Sequence, residues 1–550
     1  MKKTAKLKKN SFMQGAFIAT FGIIISKILG MLYVIPFYSI IGDKGGALYG
    51  YAYNIYSIFL GISSAGIPLA ISKIISEYNE LGYYKAKNRA FVLGRKVLSL
   101  VGVVCFIFLF LFAEVFAKII IKDVTGGNTI EDVTFVIRMI STAILVVPTL
   151  SIYRGYLQGH KFITPTSVSQ VLEQLVRVTI IVAGSFLSLK VLNLDLTTTV
   201  GIAVFSATVG ALVSYFYLFV KTKKNKEVID KEILKVEEPK ISDKVILKKI
   251  FYYAFPFIMI DIFKSLYNSI DVVMLVSVLV KGLGYTATDA EAIMSVISTW
   301  GLKINMIVIS IATGIMISLI PNISAAFIKN DMEEVSKKIN KSLQMLLYLV
   351  VPMTVGLSIL AKPVWSIFYG TSTYGPSVYS FYVFVALFTT LFTCSMTTLQ
   401  MMKEYKQLFK ALICGFLTNC ILNIPLLYAF HKMGLPAYFG STLATILGYG
   451  VCSFMSLSFI NKKYKVNYED TIKKVMGILF ATLVMAFTLL VLKLFVPFTL
   501  TGRLINILYV SLYAAVGASV YFVITIKNNL MYDIYEANIL LKIKNKFIRR

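Results

Sequence analysis

Lys27, Arg177, Lys264 and Lys303 each sit inside a long apolar stretch, and so do the acids Glu173, Asp261 and Asp271. A charge at bilayer depth costs several kcal/mol, so each of these side chains must be paired, line water or serve transport. Lys27 has no acid within a helical turn and lies about 14 residues, or roughly 20 Å, from either end of its stretch, too far for its ammonium to reach an interface. It is therefore either a cavity-lining cation or a lysine paired with another helix. Glu173 and Arg177 are four residues apart and share a face with Ser169 and Gln170, a spacing that serves an ion pair holding the helix in its bundle as well as it serves a contact to substrate. Asp261, Lys264, Asn268 and Asp271 fall within about 80° at 100° per residue, so a single helix face carries all four. Thr299, Lys303, Ser310 and Thr313 make a second such stripe. Arg138, beside Glu131 and Thr134, and Lys362, before Pro363, stand close enough to stretch ends to be interfacial anchors. The deep charges are mildly cationic in sum. Such a cavity suits an anion with a large polar body, because phosphate oxygens are acceptors that Lys and Arg hold well.

The elements that must position these groups follow from composition. The chain has 550 residues, is 57% hydrophobic and carries only 15% charge, with a mean hydropathy of +0.77. A soluble domain is nearer 45–50% apolar and about a quarter charged. With about 20 apolar residues per crossing, the roughly 310 hydrophobic residues implied by 57% suffice for well over ten spans. The apolar runs are continuous rather than short and alternating, so the spans are helices and not barrel strands. The predicted fold is an all-α polytopic membrane protein of about 14 transmembrane helices, in two pseudo-symmetric six-helix lobes plus two C-terminal helices. Residues 1–220 form the N-terminal lobe, 221–249 a basic linker, 250–460 the C-terminal lobe, 461–526 the last two spans, and 527–550 a basic amphipathic tail. The run from Phe12 to Ile41 is too long for a signal-peptide core and has no A-x-A cleavage site, so it is retained as the first span.

The net charge of +28 is topological. With the N-terminus in the cytoplasm, about 41 of the 55 basic residues fall on cytoplasmic segments, which places both termini and the linker inside. Nucleic acid is not implied. A weak internal repeat supports two halves: Leu157 to Lys161 closes the fourth span as Leu399 to Lys403 closes the tenth, and Pro68 to Ser72 leaves the second as Pro321 to Ser324 leaves the eighth. An even number of spans per half makes such repeats parallel, and a substrate path is expected between the lobes.

Other chemistry is scarce. No GxxxxGK[ST] loop is present, which excludes a built-in ATP motor of that type. His160 and His431 both stand near span ends, and the five cysteines lie in apolar segments without CxxC spacing, so no metal centre, disulfide framework or cofactor is expected. Pro36, Pro148, Pro256, Pro352 and Pro425 fit helices that bend.

Ser26-Lys27-Ile28-Leu29-Gly30, then Pro36, Gly45-Gly46-Ala47 and Gly66-Ile67-Pro68, in a chain of 14 spans in two lobes, resemble the MurJ/SpoVB-type lipid-linked oligosaccharide flippases of the MOP (MATE-like) superfamily. The resemblance covers nearly the whole chain. It implies movement of lipid II, the undecaprenyl-pyrophosphate-linked peptidoglycan precursor, from inner to outer leaflet of a bacterial cytoplasmic membrane by alternating access, for cell-wall synthesis and cell shape. In the family a basic residue after the Ser of the first-span motif lines the cavity, and Lys27 holds that place. Many members carry an Arg and an Asp six or seven residues on, where this chain has Tyr33 and Val34. The resemblance also implies a coupling ion, Na+ or H+, with Asp271, Asn419 and Asn423 as the matching positions; helix-to-helix hydrogen bonding is the other reading of the two asparagines. The cavity set is then Lys27, Glu173, Arg177, Asp261, Lys264 and Lys303. The expected partners are the glycolipid and membrane lipids, and the expected functional unit is a monomer. Three rivals stand beside this reading: export of another lipid-linked polysaccharide repeat, multidrug or cation antiport within the superfamily, and a membrane glycan polymerase or acyltransferase. The cationic cavity opposes the second, and the short outer segments, about Ala113 to Asp132 at the longest, oppose the third.

Overall fold

The structure, a computed structural model, describes residues 12–64, 66–122, 124–225, 239, 241–310, 323, 326–327, 329–499 and 502–535. Thr313, the Pro321-Asn322 start of the second repeat match and the tail beyond 535 lie outside the described residues.

Every described element is a helix, as backbone N–H and C=O groups require in a medium that cannot hydrogen-bond them. Among the described residues thirteen helical segments are long and apolar enough to cross a bilayer, and the shorter apolar Phe21–Leu32 stands in the first span. The chain is a multi-pass membrane protein. It divides into two compact units, Met1–Thr299 and Trp300–Arg550.

In the first unit, α1 (Phe12–Leu32) leads after one turn residue into α2 (Val34–Ser64), α3 (Ile67–Glu80) and α4 (Tyr84–Leu111). The backbone leaves helical geometry inside α2 at Gly42, whose φ of 63° is open to glycine, so the first span ends there and the second begins. Gly66, at φ 66°, makes the next break, and Pro68 opens α3, where a missing N–H costs nothing. Then come α5 (Ala113–Ile121), α6 (Ile130–Ser141), α7 (Val147–Gly159), α8 (Ile163–Thr179), α9 (Leu196–Lys224), α10 (Asp243–Leu283) and α11 (Ala287–Ser295). The expected fourth span is thus two helices and a 3-10 turn, interrupted ahead of Pro148.

Lipid tails are as apolar as leucine, so close approach rather than water exclusion holds such helices together. Gly155 and Gly159 of α7 show how: a Cβ added at Gly155 would lie 2.6 Å from the Pro68 carbonyl oxygen, and one at Gly159 would lie 2.6 Å from Ile75 Cβ. This small-xxx-small face lets α3 sit directly on α7, and Ile71, Ile74, Ile75, Leu150 and Leu157 close the core around it.

The second unit holds α12 (Met332–Ile359), α13 (Ala361–Tyr369), α14 (Gly375–Tyr382), α15 (Phe384–Met401), α16 (Tyr405–Lys432), α17 (Tyr438–Tyr464), α18 (Glu469–Phe495), α19 (Arg503–Lys527) and the short α20 (Leu530–Tyr535). α16 and α17 pack as a tight hairpin, since a Cβ at Gly440 would fall 2.4 Å from the Leu426 backbone.

Candidate functional site

In the first unit α1 and α8 lie side by side in parallel, Gly22 against Ser167 and Gly30 against Gln174. Lys27 stands between these two contacts and is half-buried. Burial is the main influence on its ammonium, with a lesser through-space repulsion from Lys264 of α10; Lys264 is likewise dominated by burial, with a lesser attraction from Asp261, one turn away on the same helix. Sequence spacing alone placed Lys27 and Lys264 on separate helices; the fold brings them into one field.

Contacts to α2 orient the stripe on α10. Gly61 meets the Asp261–Ile262 backbone, and Ser269 Oγ donates to Asn54 Oδ1 at 2.6 Å. Along the stripe Asp261 and Asn268 are exposed, Lys264 is half-buried and Asp271 is only 3% exposed.

Glu173 and Arg177 are on neighbouring turns of α8, but the carboxylate of Glu173 goes elsewhere. Arg154 Nη2, on α7, donates to Glu173 Oε2 at 2.7 Å, and Arg154 Nε donates to Ser169 Oγ at 3.0 Å. Ser214 of α9 donates to the Ser169 carbonyl at 2.7 Å, so three helices share the network. Arg154 escaped sequence reasoning although its type, a cation within the fourth span, was the available sign. The guanidinium of Arg177 lies over the ring of Tyr53, 5.9 Å from its centroid, and its Nε is buried without a hydrogen-bond partner. Tyr53 stacks on Tyr49 at 4.6 Å and meets Tyr56 edge-on at 5.6 Å.

A second polar cluster was also missed. Glu291 of α11, 3% exposed, accepts from the Asn128 backbone N–H at 2.7 Å and from Asn128 Nδ2 at 2.9 Å, while Asn128 Nδ2 also reaches the Lys44 carbonyl at 3.1 Å. A Cβ at Gly127 would sit 2.6 Å from the Glu291 carboxylate, so glycine is needed for the loop to close on it. The cluster ties the segment before α6 to α2 and α11.

In the second unit Lys303 is half-buried. Asn419 Nδ2 donates to Thr445 Oγ1 at 3.2 Å, and Asn423 Nδ2 reaches Asn419 Oδ1 and Ser441 Oγ, each at 3.4 Å. These amides stitch α16 to α17. Between α12, α18 and α19 runs a groove of about 310 Å³ whose walls include Leu349, Pro352, Leu357, Leu489, Ala514 and Phe522, with no charged residue in its lining. Hydropathy could not reveal it, because apart from Tyr348, Tyr513 and Tyr521 its lining is as apolar as a lipid-facing surface.

Taken together, the first unit carries the deep cations Lys27 and Lys264, the latter with Asp261, and the Arg154–Glu173 pair beside Arg177, and the second presents a largely apolar groove. Tyr33 and Val34 are buried at the α1–α2 junction, at 5% and 1% exposure, so neither is a charged cavity group.

Comparison with known proteins places this arrangement. The family model described as polysaccharide biosynthesis protein matches residues 12–325. The lipid II flippase MurJ of Bacillus subtilis (strain 168) is 33% identical over 522 residues, covering 93% of this chain and 94% of that protein. Among solved structures, a lipid II flippase MurJ in an inward closed conformation superposes with a TM-score of 0.65 at 18% identity, over 94% of this chain and 99% of that one. An inward-facing multidrug resistance MATE family transporter of the MOP superfamily gives a TM-score of 0.59 at 14% identity, over 81% and 98%.

Proposed function

Because the chain belongs to the polysaccharide biosynthesis protein family, we propose that it is a flippase carrying lipid II, an undecaprenyl-pyrophosphate-linked glycan, from the inner to the outer leaflet by alternating access. The observation that carries this reading is the 33% identity to a lipid II flippase over 93% of the chain, and it is supported by Lys27 and Lys264, two half-buried lysines in spans of the first unit, the second with Asp261 one turn away on its own helix. A diphosphate leaving water needs compensating charge, and two lysines over one acid supply it. Each charge-assisted contact contributes about 1.5–3 kcal/mol, enough to decide whether a head group enters. The largely apolar groove between α12, α18 and α19 of the second unit is of a kind that suits a hydrocarbon chain.

The chain works as a transporter rather than an enzyme in this reading, as a monomer in the bacterial cytoplasmic membrane with both termini in the cytoplasm, in line with its basic loops. For a coupling ion, Na+ or H+, the candidate donors of the second unit are two amides already bonded to Thr445, Ser441 and each other, with no carboxylate between them. That set fits a helix-pairing role better than a cation site. A different lipid-linked repeat unit is the second reading, favoured by Tyr33 and Val34 where many members carry charge.

The test is complementation of a strain depleted of its lipid II flippase. Growth and normal cell shape are expected. Death with the protein abundant in the membrane would move the reading to another lipid-linked glycan.

A further inference from the structure

Arg177 is a cation in a membrane span whose nearest acid on its own helix is already taken. Glu173 bonds Arg154, which also holds Ser169, so Glu173 acts on Arg177 only through space. Nε of Arg177 is buried without a partner, a costly state for a charged donor. One side of the guanidinium rests over the ring of Tyr53. Tyr53 is itself partly exposed, with Tyr49 and Tyr56 buried behind it at 4% and 2%, so the three rings form a wall with one accessible member. Cation–π contact stabilises such a guanidinium by a fraction of what an anion would.

The register of the helices locates this group relative to Lys27 and Lys264. Gly61 faces Asp261–Ile262 and Asn54 faces Ser269, so α2 and α10 run antiparallel and Tyr53 stands level with Ile270. Lys264 is therefore about 9 Å along the membrane axis from Tyr53, at 1.5 Å per residue. The α1–α8 register gives the same answer independently: Lys27 is level with the Val171–Leu172 turn, about 8 Å from Arg177. Two phosphorus atoms bridged by one oxygen do not span that distance. A sugar attached to the diphosphate, with its substituents, does.

We propose that Arg177 and Tyr53 form a second substrate subsite, separate from the Lys27–Lys264 pair, which binds a carboxylate carried by the glycan or peptide part of the head group. The proposal rests on the flippase reading and specifies which part of the substrate meets which part of the cavity. A guanidinium presents its N–H groups as a fork matched to the two oxygens of a carboxylate, whereas lysine acts as a point charge. Tyr53 carries Tyr49 stacked on its ring and the Arg177 guanidinium over it, so its part in the subsite is to hold that guanidinium in position. Arg154 and Glu173 hold α8 in place and leave the Arg177 fork unused for that purpose.

The experiment uses the full chain in lipid nanodiscs and measures binding of three probes: bare undecaprenyl pyrophosphate, lipid II, and lipid II with its peptide carboxylates amidated. Arg177→Gln is expected to weaken lipid II at least about ten-fold, the worth of one charge-assisted contact, and to leave the other two probes unchanged. Wild type should bind the amidated lipid about as Arg177→Gln binds lipid II. Lys27→Ala should weaken all three. Equal loss on all three probes for Arg177→Gln, or no loss on lipid II, overturns the subsite. If Arg177→Gln does not accumulate, Arg177→Lys carries the test: it keeps the charge but not the fork, and a selective loss of several-fold on lipid II is expected, with unchanged affinity overturning it. Wild type that binds none of the three probes would instead overturn the flippase reading itself.

Discussion

Removing the acid from the Arg154–Glu173 pair tests whether this contact or the helical spacing decides the energetics of α8. The two side chains are 14% and 19% exposed, with Nη2 to Oε2 at 2.7 Å and Arg154 Nε on Ser169. Glu173→Gln keeps the shape but leaves the Arg154 charge without its counter-charge. Breaking one side of a buried pair costs about 3–5 kcal/mol, and replacing both partners by apolar groups is often neutral. Thermal inactivation of the purified full chain, followed by loss of the monodisperse peak, is the assay. Glu173→Gln should inactivate at a clearly lower temperature, and Arg154→Met combined with Glu173→Leu should recover most of the loss. Arg177→Met combined with Glu173→Leu should not, since Arg154 would still be unpaired. Wild-type stability in Glu173→Gln, or rescue by Arg177→Met in place of Arg154→Met, would refute the assignment.

Gly155→Ala should destabilise the first unit by about 1–3 kcal/mol, because its Cβ meets backbone and not a side chain that can swing away, and thermal inactivation will show it. Asp195 caps α9 by accepting from Thr198, and those hydrogen bonds hold its carboxyl below the usual range, so its small contribution is present above the unfolded-state value and fades as pH falls through the lowered one. Asp195→Asn should therefore remove that small stabilisation at pH 7 and flatten the acid limb of the stability profile below about pH 4. A cysteine placed at position 226 should be inaccessible to a membrane-impermeant reagent in intact cells; labelling from outside would contradict cytoplasmic termini.

Much of the architecture was legible because hydropathy over about 20 residues is a direct imprint of bilayer thickness. Helix breaks fall at or beside glycine or proline at Gly42, Gly66 and Pro148, of which Pro148 reads from the sequence only as a bend, and α4 ends at Phe112 without either. The stripe on α10 could be read from its period, and so could the isolation of Lys27. What the sequence hid were partners on other helices. Spacing offered Glu173 to Arg177, but the acceptor is used by Arg154, nineteen residues away on α7, because packing geometry and not the helical repeat sets that contact. Glu291 likewise finds Asn128 across the fold. The groove lined by Leu349 and Phe522 was invisible for a different reason: a residue facing a groove and one facing lipid have the same hydropathy.

The most direct test of the flippase reading is the amount of lipid II exposed on the outer leaflet of cells that depend on this chain alone. Wild type should sustain it. Lys27→Ala should reduce it at least about ten-fold at normal protein abundance, the loss expected when one charge-assisted contact to the pyrophosphate is removed, and Lys27→Arg should keep much of it. Lipid II exposure at the wild-type level in Lys27→Ala, with the protein equally abundant, would contradict the account.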